Sequence, residues 1–301
     1  GDEVIIDGSG ENSTYPSPWS TGTLIVGESG AGTLTVINAG EVTTGGQGII
    51  GFAAIPGVTP GGTGTVTVTG PGSTWNISNN LIATRGSLTI SDGGVVSSGG
   101  APAASAVGSM GDASVTVTGE NSRWDNLGDV YVGEQGRGIL TIAEGAEVSA
   151  QTVSVGVFAG DTGTINIGAA AGQAAVGAGT LNADTVQLVR GTSALVFNHT
   201  SSSHVFAADI TGIGTITHLA GQTILAGDNS GFSGTTTVSG GWLRVDNNLG
   251  GPVVVGAQGS LTVGGGTVSG AVTGGTNGVV NVQGGTVEIV NGSQIVNQTS
   301  G

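Results

Sequence analysis

The chain has 301 residues, of which 62 are glycine and 7 proline; 37% are hydrophobic and only 8% charged. Its 20 acids face 5 basic residues, all arginine, for a net charge of −15; nucleic acid and anionic membranes need clustered Lys and Arg, so neither is an expected partner. Cysteine is absent, which removes disulfides and thiolate metal sites, and no apolar run reaches the roughly 18 residues of a transmembrane helix.

Gly1-Asp2-Glu3 does not open a signal peptide, so the chain is expected to be a piece of something longer. GDEVIID (1–7) is a candidate cap folding across the first coil. From there, apolar residues alternate with Thr, Ser and Asn in short runs bounded by glycine. The runs are LIV (24–26), TLTV (33–36), VTVT (66–69), SLTI (87–90), VTVT (115–118), VYV (130–132), ILTI (139–142), VSV (153–155) and TINI (164–167). Alternation with period two predicts half-buried strands. Helical periodicity is absent.

The runs belong to a larger repeat. Residues 65–100 and 114–151 share the frame VTVTG-x-x-S-x-W, with Trp75 and Trp124 separated by 49 positions and Trp19 in a looser earlier copy. Val117 to Ile142 is 25 residues, and Ile142 to Ile167 another 25. Near the C-terminus SLTVGGGTV (260–268) matches VVNVQGGTV (279–287) at an offset of 19. Such periods fit one coil of a right-handed parallel β-helix with three short strands per coil, whose apolar sides line one interior. Asn-Gly and Asp-Gly at two-residue turns would favour an antiparallel sandwich, and Gly pairs with longer Gly/Ser/Ala loops dominate instead. The loops 43–64, 99–112 and 156–179 vary most and are the expected recognition elements. The division expected is a repeat-built helix with loop excursions over 1–190 and a continuing β-helix stem over 191–301.

In the second part, LAGDNSGFSGTTTVSGGWLRV (225–245) resembles the passenger-associated repeat of bacterial autotransporters, through Leu225, Gly227, Asn229, Phe232, Ser233, Gly234, Thr236, Thr237, Val238, Gly241, Leu243 and Val245. Trp242 stands where that repeat commonly has a small polar residue. The VTVTG-x-x-S-x-W and VG-x-x-G-x-G-x-LTI units are similar to repeats of large adhesin- and haemagglutinin-like passengers. The resemblance implies type V secretion through periplasm and outer membrane, and a place at the bacterial cell surface. It also implies an outer-membrane translocator barrel as the partner in the full-length chain, outside the present sequence.

The residues that could carry chemistry are few. Asp125, Asp129 and Glu134 resemble the carboxylate sets of polysaccharide-cutting β-helices, yet Asp125 aligns with Asn76 and Asp129 with Asn80 in the sister unit. His199, His204 and His218 lie close in sequence, with Asp209 and Asp228 near, but without H-x-x-x-H or H-E-x-x-H spacing. Trp19, Trp75 and Trp124 could stack on sugars or anchor the core, and their alternation with Val and Ile favours burial. No catalytic, cofactor or metal residue is assigned. The expectation is a non-catalytic extracellular passenger acting in adhesion or self-association, its partner a host-cell or matrix ligand or another copy of itself. The alternatives are a polysaccharide-active lyase or hydrolase and a purely structural stalk.

Overall fold

A computed structural model describes residues 2–53, 61–99, 104–274, 278–289 and 295–299. Among these there is no helix, and none long and apolar enough to cross a membrane. The strands form three sheets of 17, 7 and 8 strands, and every ladder within them is parallel. The chain visits the three faces in turn. Residues Thr63–Thr69 lie on the first face, Thr74–Ile77 on the second and Leu81–Ala83 on the third, before Gly86–Ser91 returns to the first. This is the parallel β-helix with three strands per coil that the spacing predicts.

The register is the one set by the repeats. Val117 pairs with Ile142 and Ile142 with Ile167, and Leu261 pairs with Val280 across the 19-residue offset. Each rung is about 4.8 Å from the next. Because rungs align in register, inward positions stack into columns. One column on the first face runs Val36, Val68, Ile90, Val117, Ile142, Ile167, Phe197, each fully buried. Outward positions stack as well. Thr35, Thr67, Thr89, Thr116 and Thr141 form a hydroxyl row on the outer surface of that face.

The 49-residue repeat turns out to be two coils, and the second face shows why. Its inner column reads Trp19, Val42, Trp75, Val96, Trp124, Val148, Leu181, so tryptophan alternates with valine rung by rung. The corners between first and second faces alternate too. Asn38-Ala39, Asp92-Gly93 and Glu144-Gly145 all take positive φ, from 52 to 84°. Each pair is closed by a bond from Gly40, Gly94 or Ala146 N–H to the carbonyl three residues earlier. These are two-residue primed turns, normally the mark of hairpins. Here they turn a corner instead, because the next strand pairs with the rung above rather than folding back.

At the N-terminus the cap differs from expectation. Residues 3–7 are themselves a rung, paired in parallel with Ala31–Ile37. The outer edge of that rung is covered by the following loop: Thr14 N–H donates to the Ile5 carbonyl, and the hydroxyls of Thr14 and Ser13 accept from Ile5 and Asp7 N–H. An edge strand so blunted cannot take another strand along those atoms.

From residue 194 the rung changes shape. Thr235–Val245 and Val253–Val263 are continuous strands of 11 residues that bend across two faces. The ladders illustrate this: Thr235 to Val238 pair with Thr215 to His218, and Trp242 to Val245 pair with Gln222 to Leu225. The bend lies at Gly240-Gly241, just after the register shift between Val238 and Gly240, and Gly241 has φ +70°. A Cβ there would meet the Gly221 carbonyl oxygen at 2.4 Å, so glycine is required twice over. Beyond Asp209–Gly212, the third face shrinks to single bridges: Gly212 with Phe232, Asn229 with Leu249 and Leu249 with Val268.

Candidate functional site

The repeated frame VTVTG-x-x-S-x-W is explained by packing. Ser73 and Ser122 are fully buried. Ser73 Oγ accepts the Ala39 N–H at 3.2 Å and Ser122 Oγ the Gly93 N–H at 3.0 Å, so each serine satisfies a donor in the primed turn one coil earlier. Two residues on, the indole N–H of Trp75 donates to Thr44 Oγ1 (2.9 Å) and that of Trp124 to Ser98 Oγ (2.8 Å). Both tryptophans are fully buried. They fill volume that a Gly-rich coil otherwise lacks, with their one polar atom partnered. Trp19 is different: it is half-buried and stacks on exposed Tyr15 at a centroid distance of 5.2 Å.

The segment 225–245 is likewise a structural rung. Leu225, Asn229, Phe232, Thr236, Val238, Leu243 and Val245 are all buried. The Asn229 side chain accepts from Ile210 N–H at 2.8 Å and donates to the Gly227 carbonyl at 2.9 Å, bridging two rungs where the third face has no ladder. Its residues mark a way of building the coil.

The carboxylates do not converge. Asp125 lies on the outer surface of the second face, in register with Ser97 and Ser149, and faces Arg123 at 3.7 Å. Asp129 sits at the next corner, its carboxylate accepting from Thr152 N–H at 3.1 Å. Glu134 ends the strand Val130–Glu134 and accepts from Ser109 Oγ at 3.2 Å. A five-residue strand places its ends roughly 13–17 Å apart, too far for one reaction centre.

The histidines do come together, inside the core. His218 occupies the column of Ile167 and Phe197 and pairs with Val238. His199 lies 5.2 Å from His204 and 6.1 Å from His218, centroid to centroid. His218 Nδ1 is 2.8 Å from the Gly240 carbonyl and so carries a proton. Its Nε2 then accepts the Thr223 hydroxyl at 3.1 Å, and Thr223 Oγ1 accepts from His199 Nε2 at 2.8 Å. Among the described residues, no hydrogen-bond partner reaches buried His199 Nδ1 or His204 Nε2. Burial pushes His199 and His204 down to about 4, with the facing imidazoles adding to the effect at His199. Burial lowers His218 as well, against the opposing pull of the Gly240 carbonyl. Asp209 and Asp228 stay outside this cluster, joined to each other by the Asp228 N–H at 2.7 Å from the Asp209 carboxylate. Among the described residues no three potential ligands are arranged to hold a metal ion.

Of the three loops expected to carry recognition, 54–60 of the first and 100–103 of the second lie outside the described residues. The end of the third, 169–179, is laid back on the stack: the carbonyls of Gly177 and Ala178 accept from Glu144 and Gly145 N–H, and Val176 bridges to His199. It does for the primed turn at 143–146 what Ser73 and Ser122 do for theirs.

Comparison with known proteins decides the class. Over 220 residues, 71% of this chain, the sequence is 34% identical to the adhesin BmaC autotransporter of Brucella suis biovar 1 (strain 1330). The chain fits an autotransporter passenger fragment. It is also 40% identical over 121 residues to an uncharacterized lipoprotein, YdeK, of Escherichia coli (strain K12). These matches span 6% and 9% of the two relatives, so the chain corresponds to a small part of proteins of that length. No family model matches, and no solved structure matches at a significant level. The likeness of 225–245 to the passenger-associated repeat therefore rests on its own residues. The relatives suggest an outer-membrane or cell-surface protein.

Proposed function

We propose that this fragment is a non-catalytic, adhesive section of an autotransporter passenger, exported through the periplasm and outer membrane and displayed outside the cell. The observation that carries the reading is the 34% identity over 220 residues to an adhesin autotransporter. The structure supplies a compatible surface, with in-register hydroxyl rows on flat sheets offering many weak polar contacts along a rigid body. On this reading residues 191–301 serve as the stem, nearer the translocator barrel, and 1–190 present the binding surfaces to a host-cell or matrix ligand or to another copy.

The test is made in cells that display the full-length protein. Deleting an integral number of coils within 1–190 should lower adhesion to host cells or aggregation while surface display is retained. Undiminished adhesion and aggregation would overturn the adhesive reading for this fragment. Deleting 191–301 should instead lower the amount of passenger displayed.

A further inference from the structure

The chain has five arginines, and they divide by position. Arg123 and Arg244 lie next to acids on the second face and its continuation, and pair with Asp125 and Asp246. The other three have no ion pair among the described residues, and all three are exposed. They also share one edge of the rod, the corner between the third face and the first. Arg85 lies between Leu81–Ala83 and Gly86–Ser91, Arg137 opens Arg137–Ala143, and Arg190 lies between Thr185–Leu188 and Ala194–Asn198. That is one arginine at every second coil. The coils between carry Met110, Phe158 and then Ile213 at the same corner, exposed by 58%, 46% and 55%. Arg85, Met110, Arg137, Phe158, Arg190 and Ile213 thus occupy this corner on successive rungs, and in the ladder register Asp112 stands between Arg85 and Arg137.

The ridge is held in place. The stem of Arg85 lies along the next coil, close enough that a Cβ on Gly111 would come within 2.7 Å of its Cγ. Asp161 is 5% exposed and accepts from both Gln135 and Phe158 N–H at 2.8 Å, which ties the Phe158 loop to the Arg137 corner. Thr192 Oγ1 donates to the Asp161 carbonyl at 2.8 Å, and Ser193 Oγ accepts from Arg190 N–H and donates to the Val155 carbonyl. Beside the ridge a shallow groove of about 190 Å³ is lined by Gly86, Asp112, Ala113, Ser114, Arg137 and Ile139, opening onto the outer surface of the first face. Asp112, Glu134 and the buried Asp161 are the acids on this stretch. Glu134 is engaged by Ser109, and Asp112 sits in register with Arg137.

The geometry points to this ridge as a binding edge for a linear acidic polysaccharide that carries one carboxylate per disaccharide. Two rungs are roughly 9–10 Å, about the length of a disaccharide, so successive carboxylates would meet Arg85, Arg137 and Arg190. Guanidinium groups suit planar carboxylates through paired N–H donors. Met110 and Phe158 lie under the intervening sugars, where apolar and aromatic side chains are favoured at interfaces, and the hydroxyls of the adjoining face are available to the sugar hydroxyls. The net charge of −15 does not forbid this. At physiological salt the screening length is about 8 Å, so acids far from the ridge count little, and Asp112, one rung from Arg137, is the exposed acid inside that distance. The proposal deepens the adhesive reading and rests on it, by naming the chemistry of the ligand.

Calorimetric titration of the purified chain with unsulfated chondroitin oligosaccharides, with dextran as the neutral control, tests it. The wild type should bind chondroitin and not dextran. Arg85→Gln/Arg137→Gln/Arg190→Gln should bind roughly thirty-fold more weakly, each exposed arginine contact being worth a few-fold. Arg123→Gln/Arg244→Gln should bind as the wild type does. Met110→Ser/Phe158→Ser leaves the charges in place and should weaken binding by a smaller factor. Absence of chondroitin binding would overturn the proposal. So would equal binding of dextran, equal loss in both arginine variants, or a ridge that pairs two copies of the chain and loses that pairing in the triple variant. Cells that adhere although the chain ignores chondroitin would remove the ridge and keep the adhesive reading.

Discussion

The two ends of this rod build the same kind of rung by different means. Between residues 31 and 188, three separate strands meet at corners, and each corner has its own device: a primed turn on one coil, a buried serine and tryptophan on the next. Between 235 and 263, two 11-residue strands each cover two faces without stopping, the first bending at its glycines, and the third side is reduced to a buried Phe232, Leu249 and Asn229. The rung shortens from 25 residues to 19. Stacking in register is what both parts share. Corners are therefore replaceable, and the apolar column is not.

Four experiments probe that contrast, most usefully by hydrogen exchange, which reports the regions of a quasi-one-dimensional stack separately. The largest effect is expected from Trp124→Ala, which empties a fully buried site and should destabilise the surrounding coils by about 3–5 kcal/mol. Protection at 215–263 should be nearly unchanged; loss throughout would mean that the rod unfolds as one unit. Next is Gly241→Ala in the bent strand. Its positive φ and the close Gly221 carbonyl predict a cost of about 2 kcal/mol or more, confined to the region around 220–260. A neutral outcome would show that the bend can be made without glycine.

The third is a titration. His199 and His204 have folded values near 4 against 6.5 for the free side chain. In that window the unfolded chain binds more protons than the folded one. Stability is thus complete above about pH 6.5 and is lost as the pH falls towards 4. Protection near 195–245 should drop between pH 7 and 5, while the coils of Trp75 and Trp124, which hold no histidine, stay as they are. His204→Phe should flatten this pH dependence, and an unchanged profile would remove the cluster as its cause. The smallest effect is expected from Ser122→Ala, which strips the Gly93 N–H of its partner and should cost about 1–1.5 kcal/mol. Chemical denaturation of that variant beside the wild type is sufficient to measure it.

Much of this architecture was open to inspection in the residues. Val117, Ile142 and Ile167 predict their own stacking because one-residue slips would expose an entire apolar column. Trp75 and Trp124 read as buried because they alternate with Val and Ile. Other features were hidden. The Asp92-Gly93 turn looks like a hairpin signal, and only pairing with the neighbouring coil makes it a corner. The alternation of tryptophan and valine on one face cannot be seen until 49 residues are recognised as two rungs. The carboxylates near Trp124 look clustered along the chain, but a strand of five residues carries Asp129 and Glu134 to its opposite ends.

What the sequence by itself determined is the local part: strands from period-two alternation, glycine at corners, the coil period, and a charge balance unsuited to nucleic acid. What only the tertiary structure decided is which residues stand beside each other between coils. His199 meets Thr223 and His218 because the chain between them makes one circuit of the rod. Arg85, Arg137 and Arg190 come to one corner for the same reason, although 52 and 53 residues separate them in turn. Lateral neighbours in a solenoid are fixed by the length of each circuit, including its irregular loops, and that length is set by packing against the coil before.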